Sequence, residues 1–113
     1  LARESGRGEG VGHNKNYPLP LKTNNEEYME VLSKALEDVS AFNPQFLIVS
    51  AGFDTHEKDP IAGFKLTSEV YKSIASSILD LDLPSLIVQE GGYNLDTLGG
   101  LCYNFLSAFE NGS

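Results

Sequence analysis

Two short stretches of this 113-residue chain hold side chains suited to chemistry. The first, Ser50-Ala51-Gly52-Phe53-Asp54-Thr55-His56-Glu57-Lys58-Asp59-Pro60, sets a carboxylate directly after an apolar, β-branched run. The second, Glu90-Gly91-Gly92-Tyr93, sets a phenol after two glycines that let the backbone pass close to a ligand. In α/β sheets, ligands gather at the carboxyl ends of strands, and both stretches fall there. A metal-bound water and a phenol hydroxyl facing one carbonyl would suit metal-assisted hydrolysis. Asp54 and His56 stand two apart, so in extended backbone they face the same way, as an Asp-x-His fork for a metal would.

Each of these residues also has an ordinary reading. Asp54 equally suits a turn cap or a carboxylate receiving a helix dipole. For His56, beside Glu57 and Asp59, a solvated or locally hydrogen-bonded imidazole is the favoured reading. Tyr93 alone is an ordinary half-buried phenol, and Gly91 and Gly92 alone make a turn. Cys102 lies on an apolar stripe without a nearby base, so it reads as a core filler rather than a nucleophile. The spacing Gly8-x-Gly10-x-Gly12 looks like a phosphate loop only superficially: no apolar strand precedes it, and prolines follow it.

The elements that must position these loops are legible. Residues 1–24 form a glycine-rich opening ending in Tyr17-Pro18-Leu19-Pro20, which reads as a loop. Thr23 and Glu26 have capping-box spacing, with Thr23 as N-cap. Tyr28, Val31, Leu32, Ala35, Leu36, Val39 and Phe42 then recur at helical spacing until Asn43-Pro44 stops them. Phe46-Leu47-Ile48-Val49 and Leu86-Ile87-Val88 read as strands buried on both faces. Between them Thr67 can cap a helix carrying Val70, Tyr71, Ile74, Ala75 and Ile78, and after them Leu98, Leu101, Cys102, Phe105 and Phe109 stripe a third helix. This order predicts two parallel strands joined by a right-handed crossover, an α/β arrangement within one domain over residues 1–113. Two strands and three helices are too few to cover both faces and the edges, so the pattern asks for further strands. With no initiator Met at Leu1, the expectation is a piece of a longer chain.

Composition narrows the function. Apolar residues make up 41% and charged residues 21%, a globular balance. Eight basic residues against 16 acidic ones leave a formal charge of −8, which disfavours nucleic acid and anionic membranes and suits a cationic partner. No apolar run approaches the ~20 residues of a membrane span. The single cysteine excludes an internal disulfide or a Cys-rich zinc cluster and fits a reducing compartment, so a cytoplasmic location is expected.

At this point the motifs carry a resemblance. The stretch Ser50 to Pro60, the following Phe64-Lys65-Leu66-Thr67 and Val88-Gln89-Glu90-Gly91-Gly92-Tyr93-Asn94-Leu95 resemble the C-terminal part of the histone deacetylase superfamily. Asp59-Pro60-Ile61 and Phe64-Lys65-Leu66-Thr67-Ser68-Glu69 are most similar to bacterial acetylpolyamine amidohydrolases and class II-like deacetylases. The opening from Gly8 to Pro20 resembles the stretch preceding that segment, so the likeness spans nearly the whole chain. It implies the C-terminal portion of an arginase-like α/β fold with a mainly parallel sheet and flanking helices.

By position, the resemblance makes Asp54 a zinc ligand and Tyr93 the donor to the tetrahedral oxyanion. It makes Gly91 and Gly92 the lining of the substrate channel and Ile61 an apolar rim residue, and it leaves His56 outside the zinc shell. It brings a structural monovalent cation as a further expected ion. The family's Asp-x-His ligands and paired His-His are absent: the histidines are His13 and His56. The implied activity is therefore that of a longer protein, a zinc-dependent amidohydrolase acting on acetylpolyamine or acetyl-lysine, and the chain alone is expected to be inactive. The alternatives are a non-catalytic binding module of the same fold and an arginase-like two-metal hydrolase, the latter weakened by the lack of clustered Asp and His.

Overall fold

Helix α1 (Asn25–Phe42) begins on a capping box one residue later than the sequence spacing predicts. In the computed structural model, which describes residues 3–111, Asn24 is the N-cap. Its side chain accepts from the Glu27 N–H, and the Glu27 carboxylate accepts from the Asn24 N–H, each at 3.0 Å. Thr23 is diverted from capping by other partners, one local and one distant. It is fully buried, its hydroxyl donates to the Pro20 carbonyl at 2.7 Å, and its own carbonyl accepts from the Lys65 N–H at 2.9 Å. At the far end Asn43 adopts a left-handed conformation, φ 55, and closes the helix before Pro44 as expected. Among its described residues the opening loop holds a short 3-10 turn at Gly8–Gly10, and Asp38 of α1 accepts from Lys15 and Tyr17 of that loop.

Strands β1 (Leu47–Ala51) and β2 (Ser85–Gln89) pair in parallel, in register from Leu47↔Ser85 to Ala51↔Gln89. Helix α2 (Val70–Leu79) lies between them in the chain, and α3 (Leu95–Asn111) follows β2. Thr67 does not cap α2; Glu69 holds the N-cap position without a side-chain cap bond. Thr67 instead exchanges two bonds with Asn25 at the start of α1: its N–H donates to Asn25 Oδ1 at 3.0 Å and its hydroxyl accepts from Asn25 Nδ2 at 2.8 Å. That exchange ties the end of the long loop to α1.

The core forms where Ile74, Ala75 and Ile78 of α2 meet Leu101, Phe105 and Ala108 of α3, over Ala51 and Phe53. Tyr28, Leu32 and Leu36 of α1 and Cys102 of α3 pack against it partly buried, so Cys102 fills core as its place on the stripe suggested. The strands, however, are covered on one face only. Leu47, Val49 and Ala51 point into the core, whereas Ile48 is 64% exposed and Leu86 and Val88 beside it are exposed as well. The side-chain period of a strand is two, so a run apolar at every position offers two faces, and the described helices cover one of them.

Candidate active site

Parallel pairing makes β1 and β2 end at the same edge, and their loops continue it. The Glu90 N–H donates to the Ala51 carbonyl at 2.9 Å, and the Phe53 N–H donates to the Gly91 carbonyl at 2.7 Å. This continuation sets Asp54 beside the glycine pair. A Cβ added at Gly91 would stand 2.9 Å from Asp54 Oδ2 and 3.4 Å from Tyr93 Cε2, so the carboxylate and the phenol ring flank one point. A Cβ at Gly52 would stand 3.1 Å from Asp54 Oδ1. Two glycines thus cradle the carboxylate, and Gly52 is a part of the site that sequence reasoning missed.

The other candidates separate. Gly92 turns toward the core, with φ +142 and Leu98 Cδ1 only 2.7 Å from where a Cβ would sit. Tyr93 is 52% exposed, and Ile61 stands out from its loop at 67% exposure. His56 is locally hydrogen-bonded but not solvated; it is 3% exposed. Its Nδ1 accepts from the Lys58 N–H at 3.2 Å, which leaves the proton on Nε2 to donate to Ser68 Oγ at 3.1 Å. Both ring nitrogens are engaged, and the Asp-x-His fork does not form.

A cavity of about 180 Å³ is lined by Tyr28, Gly52, Phe53, Thr55, Tyr71 and Phe105 among others. Burial, and then the Asp54 carboxylate, push the Tyr28 phenol up. Burial likewise pushes Tyr71 up to about 12, offset in part by its hydrogen bond with Thr55 and reinforced by Tyr28, Asp54 and Asp59. Both phenols stay protonated at neutral pH.

Asp59 is the residue the sequence reading passed over. It is nine-tenths buried, its Oδ1 accepts from the Ile61 N–H at 2.9 Å and its Oδ2 from the Tyr93 N–H at 2.8 Å. Burial acts to raise its pKa, but the N–H groups of Tyr93, Ile61, Ala62 and Asn94 outweigh it and hold the carboxyl below the usual carboxylate value. The local signal was an acid two residues before an N–H it can bind, in Asp59-Pro60-Ile61, an Asx-turn spacing. Nothing local pointed to Tyr93.

Among the described residues, no three His, Cys, Asp or Glu side chains converge on one point. A hydrolytic zinc takes three protein ligands and a water. Asp54 fits as one such ligand: it is cradled by glycines, and no side-chain hydrogen bond among the described residues engages it.

Residues 1–109 match the histone deacetylase domain. The acetylpolyamine amidohydrolase of Mycoplana ramosa is 40% identical over 98 residues, which are 87% of this chain and 29% of that protein. Acetylpolyamine amidohydrolase 2 of Pseudomonas aeruginosa is 38% identical over 109 residues, 96% of this chain and 32% of that protein. The crystal structure of acetylpolyamine aminohydrolase from Burkholderia pseudomallei superposes with a TM-score of 0.92 at 34% identity, covering 96% of this chain and 32% of that one. The chain thus spans about a third of the length of the relatives it matches. With its parallel strands, its flanking helices and a domain match over nearly its whole length, the chain belongs to the histone deacetylase family.

Proposed function

We propose that the chain is the C-terminal part of a zinc-dependent amidohydrolase that removes acetyl groups from acetylated amines. The observation that carries this reading is the convergence of Asp54 and Tyr93 beside the Cβ position of Gly91, at the ends of two paired parallel strands. The formal charge of −8 favours a cationic acetylated amine, and the relatives named for acetylpolyamine hydrolysis put an acetylpolyamine ahead of an acetyl-lysine peptide.

In this reading Asp54 is one metal ligand, and the remaining ligands and the general base come from outside this chain. What a bound zinc supplies is polarisation of the amide carbonyl and a water of lowered pKa. Tyr93 donates its phenol proton in a hydrogen bond to the carbonyl oxygen, which becomes charged as the carbon turns tetrahedral. Gly91 keeps the space between phenol and carboxylate clear of side chain. Gly92 lets the chain turn, the glycine pair lines the substrate channel, and Ile61 forms part of its apolar rim. His56, with both ring nitrogens engaged, holds loop structure rather than a proton for catalysis.

The test is Tyr93→Phe in the full-length protein, assayed on an acetylpolyamine and on an acetyl-lysine peptide with zinc content measured in parallel. Losing one oxyanion donor typically costs ~10²–10³ in rate. The expected result is a loss of that size with zinc content unchanged. Activity within a fewfold of the parent returns Tyr93 to an ordinary phenol. A zinc-loaded parent inert on both substrates favours the binding module.

A further inference from the structure

Tyr93 follows a hinge. Gly91 and Gly92 precede it, and Gly92 sits at φ +142, so the backbone leading to the phenol has little torsional restraint of its own. Upstream, the main chain is held as far as Gly91 by the bond from the Phe53 N–H. Downstream, Asn94 caps α3, its carbonyl accepting from the Leu98 N–H at 3.0 Å and its side chain from the Thr97 N–H at 3.2 Å. Between those two anchors, the Tyr93 N–H donates to Asp59 Oδ2 at 2.8 Å, across 34 residues of sequence.

Asp59 is arranged to hold that bond. Its Oδ1 is fixed by the Ile61 N–H in its own loop, which orients the carboxylate and leaves Oδ2 for the second loop. A parallel tie runs from Asn94 Nδ2 to the Lys58 carbonyl at 2.9 Å. An amide at position 59 would turn an NH2 group toward backbone donors that now meet oxygen, so the geometry asks for a carboxylate and not merely a polar side chain.

We infer that Asp59 is the positioning residue of Tyr93: its carboxylate joins the loop carrying Asp54 to the loop carrying the phenol and sets where the phenol stands. The inference rests on the oxyanion role proposed above for Tyr93. A donor that acts on charge present only in the transition state must be held in place beforehand, and slack in its backbone reduces turnover more than binding.

The experiment uses the full-length protein as Asp59→Asn, Tyr93→Phe and the double variant. Its readouts are kcat and KM on an acetylated amine, zinc content, and hydrogen exchange of the segment 90–95. A misplacement of about 1 Å can cost ~10²-fold. Asp59→Asn should therefore lower kcat by between about tenfold and ~10²-fold while KM stays within about twofold. Zinc content should hold and exchange at 90–95 should quicken. With Phe at position 93, adding Asp59→Asn should change kcat by less than about twofold, because its effect runs through the phenol.

An equal fold loss in both backgrounds overturns the inference and leaves Asp59 a loop support. So does a kcat near the parent's for Asp59→Asn. If Tyr93→Phe itself keeps full activity, the oxyanion reading fails instead, and exchange still decides the anchor: unchanged exchange in Asp59→Asn overturns it. Should Asp59→Asn not fold, Asp59→Glu keeps the charge, displaces it by one methylene and is read the same way.

Discussion

Gly91 and Gly92 are neighbours whose alanine variants should fail in different ways. No left-handed φ applies at Gly91, so its backbone accepts alanine, but the new Cβ would meet Asp54 Oδ2 at 2.9 Å and Cγ at 3.0 Å. The carboxylate must swing away, and a side chain about 30° off its rotamer costs ~0.5–1.5 kcal/mol. Since about 1.4 kcal/mol is tenfold in an equilibrium constant, Gly91→Ala should weaken zinc binding by the full-length protein by roughly 3–10-fold. Its Tm should stay within about 2 °C of the parent, because the strain falls on one side chain. At Gly92 two penalties combine. The φ of +142 is a glycine conformation, and holding alanine there costs on the order of 1–3 kcal/mol. The Cβ would also overlap Leu98 Cδ1 at 2.7 Å and crowd Phe53 Cβ at 3.2 Å, where overpacking costs about 1–3 kcal/mol. Leu98 can yield, but buried Phe53 has little room to move. A net loss of about 2–4 kcal/mol in a protein three times this length lowers Tm by about 3–6 °C. Thermal unfolding and zinc competition with a chelator, run on both variants, separate the two effects. Equal Tm losses, or a Gly92→Ala variant as stable as the parent, would refute the division of roles between the two glycines.

Other outcomes follow from the same contacts. Asn24→Ala should destabilise by about 1 kcal/mol, while Glu26→Ala stays within ~0.5 kcal/mol; urea unfolding showing the reverse would restore the earlier cap register. The folded-state pKa of Asp59 lies below its unfolded value, so its contribution is full above about pH 4 and fades as pH falls through the depressed value. The stability gap between the parent and Asp59→Asn should therefore narrow below pH 4 in urea titrations, and a gap that widens there contradicts the assignment. The 113-residue chain alone, with Ile48, Leu86 and Val88 bare on one sheet face, should unfold without a sharp transition by circular dichroism. A steep, monomeric melt would count against that expectation.

Much of this molecule was readable from residue order. Helical spacing from Tyr28 to Phe42, the stop at Asn43-Pro44 and two short β-branched runs located α1, β1 and β2, because local periodicity and turn chemistry act within a few residues. The loops after the strands were identified as the place for chemistry for the same local reason, and Asp54 and Tyr93 do stand together there. What escaped the sequence was the choice among competing partners, several of them distant. Thr23 had the right spacing to cap α1, but Pro20 and Lys65 claim its hydroxyl and carbonyl, so Asn24 caps instead. Thr67 had the right type to cap α2, but Asn25 claims it. His56 read as a loop imidazole and is buried between Lys58 and Ser68. Asp59 gave only an Asx-turn spacing, and its bond to the Tyr93 N–H spans 34 residues. A side chain with several possible hydrogen-bond partners takes the one that burial brings within 3 Å, and only the packed structure decides which partner that is.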